Sequence, residues 1–226
     1  MPLVFDVYGT LLDVDAAARE MAARKKAEGD SRFADNWATL AAGWRTRQLS
    51  YSWLRSLMGR YVPFWQITTE ALDVTMGEMG LNDPELRENL LNLYLELTAY
   101  DEVKAQLTGF KNAGHPLAAL SNGSPEMLER GLTSSGINPL LDAVLSVDPL
   151  QIYKPDPRIY AMVTDHFGCM ASDVTFFSSN NWDIAGAGSF GFKTIWVNRA
   201  GKTWDDLPER PHHIVGSLAE AAELIG

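Results

Sequence analysis

The stretch Leu3–Leu11, with the sequence LVFDVYGTL, decides how the rest of the chain is interpreted. Its three consecutive apolar residues, Leu3–Phe5, predict a short strand buried on both faces, as in a parallel sheet. Asp6 follows at the carboxyl end of that strand, beside a Gly-Thr turn where backbone N–H groups can converge on an anion. Open α/β sheets bind ligands at this edge, so Asp6 is the first candidate for a functional residue.

Four further short apolar runs predict buried strands of the same sheet, with helices between them. The strands are predicted over residues 116–120, 143–147, 174–177 and 194–197, and the helices over 102–113, 125–134, 157–167 and from 182 onward. Ser124 and Asp156 each stand before a proline, which predicts a capping residue at a helix start. This alternation predicts right-handed βαβ units, and hence a Rossmann-like, doubly wound parallel α/β sheet.

Residues 14–97 have a helical pattern throughout. Apolar residues, among them Trp44, Leu49, Trp53 and Leu57 and the leucines of 90–97, give apolar faces at helical spacing, and breaks at 29–30, 59–63 and 80–84 divide the block into about four helices. Inserted directly after the first strand, the block predicts a cap over the carboxyl ends of the sheet. We expect a catalytic core of residues 1–13 and 98–226 and a helical cap subdomain of residues 14–97.

The composition excludes several classes of partner. Among the 226 residues, 19 are Lys or Arg and 29 are Asp or Glu, a net charge of −10 that argues against nucleic acid or an anionic membrane as a partner. The longest stretch without a charge, residues 112–125, is too short to span a membrane. One cysteine, Cys169, excludes an internal disulfide and is expected to be a small buried apolar residue. With no signal peptide visible, we expect a cytoplasmic protein.

Polar clusters follow four of the predicted strands. Asp6 follows the first strand, residues 121–124 (SNGS) the second, Lys154 the third, and residues 178–183 (SSNNWD) the fourth. In a parallel sheet all four clusters face one crevice, which predicts a functional site there.

In order and spacing, these clusters resemble the four motifs of the haloacid dehalogenase superfamily. Within it the chain is most similar to the L-2-haloacid dehalogenases. That similarity rests on Tyr8 two residues after Asp6, on the block 178–183, and on Trp44-Arg45 ahead of residues 48–55 (QLSYSWLR) in the cap. Dimers are usual in this group, so the resemblance implies a homodimer.

The residues themselves argue against phosphoryl transfer. Phosphatases of the superfamily carry a second aspartate where this chain has Tyr8, which cannot protonate a leaving oxygen at neutral pH. Their fourth motif is acid-rich and holds Mg²⁺, whereas here Asp183 is its one carboxylate. We therefore expect no metal and no cofactor.

The remaining groups suit displacement at carbon, because a halide leaves without a proton. Asp6 would attack the α-carbon of a 2-haloacid to form an aspartyl ester, which water would hydrolyse with Asp183 as general base. The repulsion between Asp6 and a substrate carboxylate is about 4 kcal/mol at 4 Å with an effective dielectric near 20. Lys154 and Arg45 are the candidates to offset it, with Arg47 or Arg55 as alternatives to Arg45.

The resemblance implies further roles. Lys154 pairs with Asp6 and with the substrate carboxylate, and the remaining groups bind substrate or halide, orient the charged residues or form the pocket wall. Ser121 and the backbone after Tyr8 bind the substrate carboxylate, and Arg45, Asn122 and Trp182 bind the halide. Thr10, Ser178 and Asn180 orient Asp6, Lys154 and Asp183, and Tyr160 supports Lys154. The pocket walls are Tyr8, Leu49, Phe64 and Trp182.

The predicted reaction is hydrolysis of short L-2-haloalkanoic acids to D-2-hydroxy acids plus halide. Three alternatives stay open from the sequence. They are a magnesium-dependent phosphatase of the same fold, a non-catalytic module that binds a small carboxylate, and a dehalogenase that accepts fluoroacetate.

Overall fold

The structure, a computed structural model, describes residues 1–225. These residues form a six-stranded parallel sheet. Its strands are β1 (Leu3–Phe5), β2 (Leu117–Ser121), β3 (Ala143–Ser146), β4 (Thr175–Ser178), β5 (Lys193–Val197) and β6 (His213–Val215). The strand order is β3-β2-β1-β4-β5-β6, so the direction of winding reverses at β1. Asp6 follows β1 and therefore lies at the topological switch point of the sheet.

The helices form two groups, one in the core and one inserted between β1 and β2. The helices of the core are α6 (Val103–Asn112), α7 (Pro125–Ser134), α8 (Pro157–Phe167), α9 (Asn181–Phe190) and α10 (Leu218–Ile225). Those between β1 and β2 are α1 (Ala16–Ala27), α2 (Ser31–Ala34), α3 (Trp37–Met58), α4 (Phe64–Glu78) and α5 (Pro84–Leu95). The predicted doubly wound α/β fold is confirmed.

The five predicted strands are confirmed within one residue at each end, with one error in their burial. β3 is an edge strand whose Val144 is 39% exposed, not a strand buried on both faces. β6 and α10 are not predicted from the sequence. β6 has only two apolar residues, Ile214 and Val215, where the equally short β1 has three in a row, and the edge position of a strand depends on sheet order rather than on local sequence.

The inserted helical block also differs in detail from its prediction. It contains the four long helices expected and a fifth, the four-residue α2. Leu57, expected on an apolar buried face, is 85% exposed near the end of α3. Leu57 lies thirteen residues after Trp44, which at about 100° a residue puts it on the opposite side of α3 from the buried face of Leu40, Trp44 and Gln48.

The chain leaves and re-enters the sheet region at one place. The Asp13 N–H donates to the Thr98 carbonyl at 2.9 Å, and the Tyr100 N–H donates to the Leu11 carbonyl at 3.1 Å. The two linkers of the helical insertion are therefore bonded to each other beside β1. On this basis we propose that residues 14–97 are a cap subdomain on a core of residues 1–13 and 98–226.

Two expectations from composition concern cysteine and membranes. Cys169 is only half-buried, so the expectation that it is a buried core residue is wrong. It follows the end of α8, where the chain runs along the surface toward β4. Of the helices in residues 1–225, none is long and apolar enough to cross a bilayer.

An aromatic stack beneath the site fixes the strand that carries Asp6. The Phe5 ring stacks on Phe177 of β4 with centroids 4.7 Å apart, and Phe110 of α6 lies 6.2 Å from both rings. Each such side chain contributes about 1.5–3 kcal/mol when fully buried. Asp6 therefore begins from a rigid strand end.

A matched pair of helix starts tests how far capping stabilises this fold. Asp156 Oδ1 accepts the Arg158 N–H at 3.0 Å at the start of α8. Within residues 1–225 Ser124 makes no such side-chain bond at the start of α7, contrary to expectation. We expect Asp156→Ala to lower the free energy of unfolding by about 1 kcal/mol. Ser124→Ala should change it by less than about 0.5 kcal/mol. Urea denaturation measures both, and an equal loss in the two variants would contradict the assignment.

Candidate active site

Three buried charged side chains form the centre of the site. Lys154 Nζ lies 3.2 Å from Asp6 Oδ1 and 2.9 Å from Asp183 Oδ2, so one ammonium bridges two carboxylates. The side chains of Lys154 and Asp183 are fully buried, and that of Asp6 is 8% exposed. The predicted convergence of these three residues from three strand ends is what the structure shows.

The second oxygen of Asp6 is held by three neutral donors. Oδ2 accepts hydrogen bonds from Thr10 Oγ1 at 2.9 Å, from Asn180 Nδ2 at 2.9 Å and from Ser178 Oγ at 3.4 Å. These donors were expected to be shared among Asp6, Lys154 and Asp183, but all three contact Asp6. They fix the carboxylate plane and leave Oδ1 facing Lys154.

The turn after Asp6 is joined to the loop after β4. Thr10 Oγ1 accepts the Ser179 N–H at 2.8 Å. Gly9 has φ +90°, and a Cβ there would lie 3.1 Å from Ser179 Oγ. The turn therefore requires glycine for its backbone conformation, and a side chain would crowd the neighbouring loop.

Asn122 and Ser121 organise the backbone near Lys154. Asn122 Oδ1 accepts the Lys154 N–H at 3.0 Å, and Ser121 Oγ accepts the Gly123 N–H at 3.1 Å. Both side chains are buried at the end of β2. Asn122 is thus placed as a support for Lys154, in addition to the halide contact that the resemblance implies.

Tyr160 contacts Asp183 rather than Lys154. Its hydroxyl donates to Asp183 Oδ1 at 2.8 Å, from a fully buried position on α8. Tyr160, expected to support Lys154, contacts the far oxygen of Asp183, whose other oxygen contacts Lys154, because α8 packs against α9. The sequence shows Tyr160 at helical spacing but not which side chain it faces.

Burial and neighbouring charges set the protonation of the centre. Burial raises the pKa of Asp183 to about 6, Lys154 opposes that rise, and the negative Asp6 adds to it. For Lys154, burial alone favours the neutral amine, but the adjacent Asp183 and Asp6 carboxylates outweigh burial and raise its pKa above the usual value. Lys154 therefore remains an ammonium, and Asp183 is a carboxyl group with a raised pKa, of about 6.

Arg45 is the arginine of α3 that reaches the site. One of its terminal nitrogens donates to the Tyr8 carbonyl at 3.2 Å and to Asn180 Oδ1 at 3.4 Å. The alternatives point elsewhere, because Arg47 pairs with Glu78 and Arg55 pairs with Glu70.

Aromatic and apolar side chains enclose the centre. The Tyr8 ring is 4% exposed and lies 6.4 Å from the ring of Phe64 on α4, measured between centroids. Leu49 and Trp182 line a cavity of about 580 Å³ between the helical insertion and the sheet edge, together with Arg45 and Asn180. Of the four side chains predicted as pocket walls, Leu49 and Trp182 line this cavity, whereas Tyr8 and Phe64 are buried and do not line it.

Two residues near the site escape sequence reasoning. Tyr94 of α5 stacks on Tyr8 with centroids 5.9 Å apart, and its hydroxyl donates to Gln48 at 3.3 Å. Arg199 donates to the Thr10 carbonyl at 3.0 Å and lies 3.8 Å from the centre of the Tyr100 ring. Arg199 follows β5 at the same sheet edge, and that position was a usable signal. Tyr94 lies in a helix whose contact face no motif marks.

The donor set fits a metal ion poorly. In the part of the chain that the structure describes, no group of three or more His, Cys, Asp or Glu side chains is arranged to hold one. The two site carboxylates already share the Lys154 ammonium, which occupies the space between them.

Comparison with known proteins identifies the family. The model of the haloacid dehalogenase-like hydrolases matches residues 3–191. The chain belongs to this family. Among members, (S)-2-haloacid dehalogenase 1 of Pseudomonas sp. (strain CBS-3) is 44% identical over 223 residues, covering 98% of this chain and 95% of that protein.

Solved structures of the family superpose closely on this chain. A crystal structure of a dehalogenase with an intermediate complex has a TM-score of 0.92 and 42% identity, and the match covers 99% of this chain and 96% of that chain. The L-2-haloacid dehalogenase from Xanthobacter autotrophicus with chloropropionic acid covalently bound has a TM-score of 0.88 and 33% identity, covering 99% and 97%.

The contact between Tyr160 and Asp183 predicts a measurable pKa change. A hydroxyl that donates to a carboxylate stabilises its charged form, so Tyr160→Phe should raise the pKa of Asp183. We expect a rise of roughly one unit, since a hydrogen bond to a charged group contributes about 1.5 kcal/mol. Carbon-detected NMR titration of aspartate-labelled protein measures it. Tyr94→Phe, which removes a buried hydroxyl bonded to Gln48, is the control and should leave Asp183 unchanged. An unchanged value in Tyr160→Phe would refute the stabilising role.

Proposed function

We propose that this chain hydrolyses the carbon–halogen bond of short L-2-haloalkanoic acids to give D-2-hydroxy acids and halide. The observation that carries the proposal is the Asp6 carboxylate, oriented by three donors and faced by Lys154, with an aromatic ring at Tyr8 in place of a second acid. The names of the relatives support the choice of substrate and its S configuration.

The first step is displacement at carbon. Within residues 1–225, Asp6 Oδ1 accepts one hydrogen bond, from Lys154, whereas Oδ2 accepts three, so Oδ1 has more free lone-pair density. A lone pair of Oδ1 forms a bond to C2 of the haloacid as the C2–halogen bond breaks and the halide departs with its electron pair. The configuration at C2 inverts, and Asp6 becomes an ester.

Cations near Asp6 make this step feasible. Lys154 is placed to offset the repulsion between the Asp6 and substrate carboxylates, and Arg45 to stabilise the departing halide. The apolar walls of Tyr8, Phe64 and Trp182 strengthen these interactions, because electrostatic forces are larger where water is excluded.

The second step is hydrolysis of the ester at Asp6. Asp183 takes a proton from water as the water oxygen bonds to Cγ of Asp6, which gives a tetrahedral intermediate. The Cγ–Oδ1 bond then breaks, Oδ1 leaves as the alcohol oxygen on C2 of the product, and protonated Asp183 returns the proton to it. The regenerated Asp6 carboxyl, which now carries the water oxygen, loses its remaining proton to solvent. Charge develops on Oδ2, which the Thr10, Asn180 and Ser178 donors already face, so they serve as an oxyanion hole. Esterification also removes the negative charge of Asp6, which lowers the pKa of Asp183 and keeps it ionised as a base.

We propose that the reaction needs no metal. Lys154 supplies the positive charge that Mg²⁺ would otherwise supply, and Tyr8 cannot serve as the second acid of a phosphatase. The magnesium-dependent phosphatase is therefore the less supported candidate.

We also propose a homodimer and a cytoplasmic location. The exposed apolar side chains Leu54, Leu57 and Met58 at the end of α3 support a contact with a second copy.

A half-buried free cysteine fits a reducing compartment, which supports the cytoplasmic location. The net charge of −10 argues against nucleic acid and anionic membranes as partners.

Halide release from the two enantiomers of 2-chloropropionate tests the reaction. We expect release from the L form alone, at the same rate in EDTA as in buffer with Mg²⁺. The released hydroxy acid should be the D form on a chiral column. Release that requires Mg²⁺, or hydrolysis of phosphate esters in its place, would reject the proposal.

Trapping of the ester tests the roles of Asp6 and Asp183. We expect Asp183→Asn, incubated with L-2-chloropropionate, to gain the mass of one carboxyethyl group, located on the Asp6 peptide by mass spectrometry. The physical reason is that the first step needs no base, whereas the second does. Asp6→Asn is the matched control and should show neither adduct nor turnover. If Asp183→Asn shows no adduct and remains unmodified, the assignment of Asp6 as nucleophile and Asp183 as base would be contradicted.

A further inference from the structure

The helical insertion contacts the core segment that leads into Lys154. Residues 147–153 connect β3 to Lys154, and the end of α3 with residues 59–63 of the following loop pack on this segment. Tyr61 donates from its hydroxyl to Asp148 Oδ1, and its ring lies 5.0 Å from the ring of Tyr153 between centroids. The contact therefore joins the cap to the segment just before the catalytic lysine.

Tyr153 makes most of this contact. Its backbone N–H donates to Ser56 Oγ at 3.1 Å, and its hydroxyl donates to the Val62 carbonyl. Its ring packs edge-on against Phe64, with centroids 5.8 Å apart, and the whole residue is 1% exposed. Backbone, ring and hydroxyl of one core residue are thus all bound to the cap.

Lys154, the next residue, faces the opposite way. Its side chain passes over the Phe176 ring at 5.1 Å and places Nζ between Asp6 and Asp183. Its backbone N–H is held by Asn122 of the core. The backbone around Lys154 is therefore fixed from two sides, by the cap through Tyr153 and by the core through Asn122.

We propose that Tyr153 is a positioning residue, which couples docking of the cap to the placement of the Lys154 ammonium between Asp6 and Asp183. Tyr153 does not touch the reacting groups; it acts through the peptide bond that it shares with Lys154. Displacement of a catalytic group by about 1 Å can cost up to about 100-fold in rate. The inference rests on the proposed catalytic role of Lys154.

The test compares Tyr153→Phe with wild type and with Arg130→Gln. Tyr153→Phe removes the bond to Val62 and keeps the ring. Arg130→Gln breaks another contact between insertion and core, the exposed ion pair with Glu96, which shares no residue with the contact at Tyr153. With L-2-chloropropionate we expect kcat to fall roughly tenfold in Tyr153→Phe, with a smaller change in KM, and to stay at the wild-type value in Arg130→Gln.

The pH profile separates positioning from general loosening. Asp183 faces Lys154, Asp6 and Tyr160, and Lys154 is the neighbour whose charge lowers the pKa of Asp183. A displaced ammonium lowers it less, so the acid limb of kcat should move to higher pH in Tyr153→Phe. A loss of stability alone would not move that limb. Thermal melting checks that each variant is folded at the assay temperature.

Ser56→Ala provides a second route to the same result, from the cap side. It removes the acceptor of the Tyr153 N–H, and we expect the acid limb to move in the same direction. Wild-type kcat and pH profiles in both variants would overturn the inference, as would an equal loss in Arg130→Gln. Failure of the wild type to release halide would instead reject the proposed function itself.

Discussion

The bridge from Lys154 to Asp6 and Asp183 is the interaction on which the site depends. Without the ammonium, two carboxylates would face each other in a buried crevice, which costs about 4 kcal/mol at 4 Å and an effective dielectric near 20. Burial of all three charges is itself unfavourable, and it is tolerated because the remaining carboxylate oxygens have donors. The cluster is therefore better explained by the chemistry it permits than by any contribution to folding.

That constraint explains why the surroundings differ from those of a phosphatase. An acid at position 8 would add a third carboxylate beside a lysine that already serves two, so an aromatic ring is the better neighbour. The Tyr8 ring packs between Phe64 and Tyr94, which makes the same position part of the apolar wall. A tyrosine instead of an aspartate at position 8 therefore both removes a proton donor and adds an apolar wall to the pocket. Both favour displacement of a halide.

The fold and the polar clusters that meet at the sheet edge could be predicted from the sequence because both depend on local signals, whereas the roles of single residues in those clusters came from the family resemblance. Short apolar runs predict β1 and β4, and polar residues after strand ends predict a common crevice. Contact partners could not be predicted in the same way. Tyr160 binds Asp183 because of how α8 packs behind α9, and Val144 is exposed because β3 lies at a sheet edge. The contact of Tyr160 and the exposure of Val144 both depend on how elements distant in sequence pack together, which a local stretch of sequence does not encode.

In the proposed reaction a single lysine serves both chemical steps, because the charge around it changes between them. Before displacement, Lys154 is shared by Asp6 and Asp183, and it offsets the repulsion that an anionic substrate meets in a chain of net charge −10. Once Asp6 is an ester, the same ammonium faces Asp183 alone and stabilises its ionised form. Formation of the ester at Asp6 thus keeps Asp183 in the ionised form that the second step needs. Any element that holds Lys154 in place, whether Asn122 from the core or the cap through Tyr153, therefore supports both halves of the reaction.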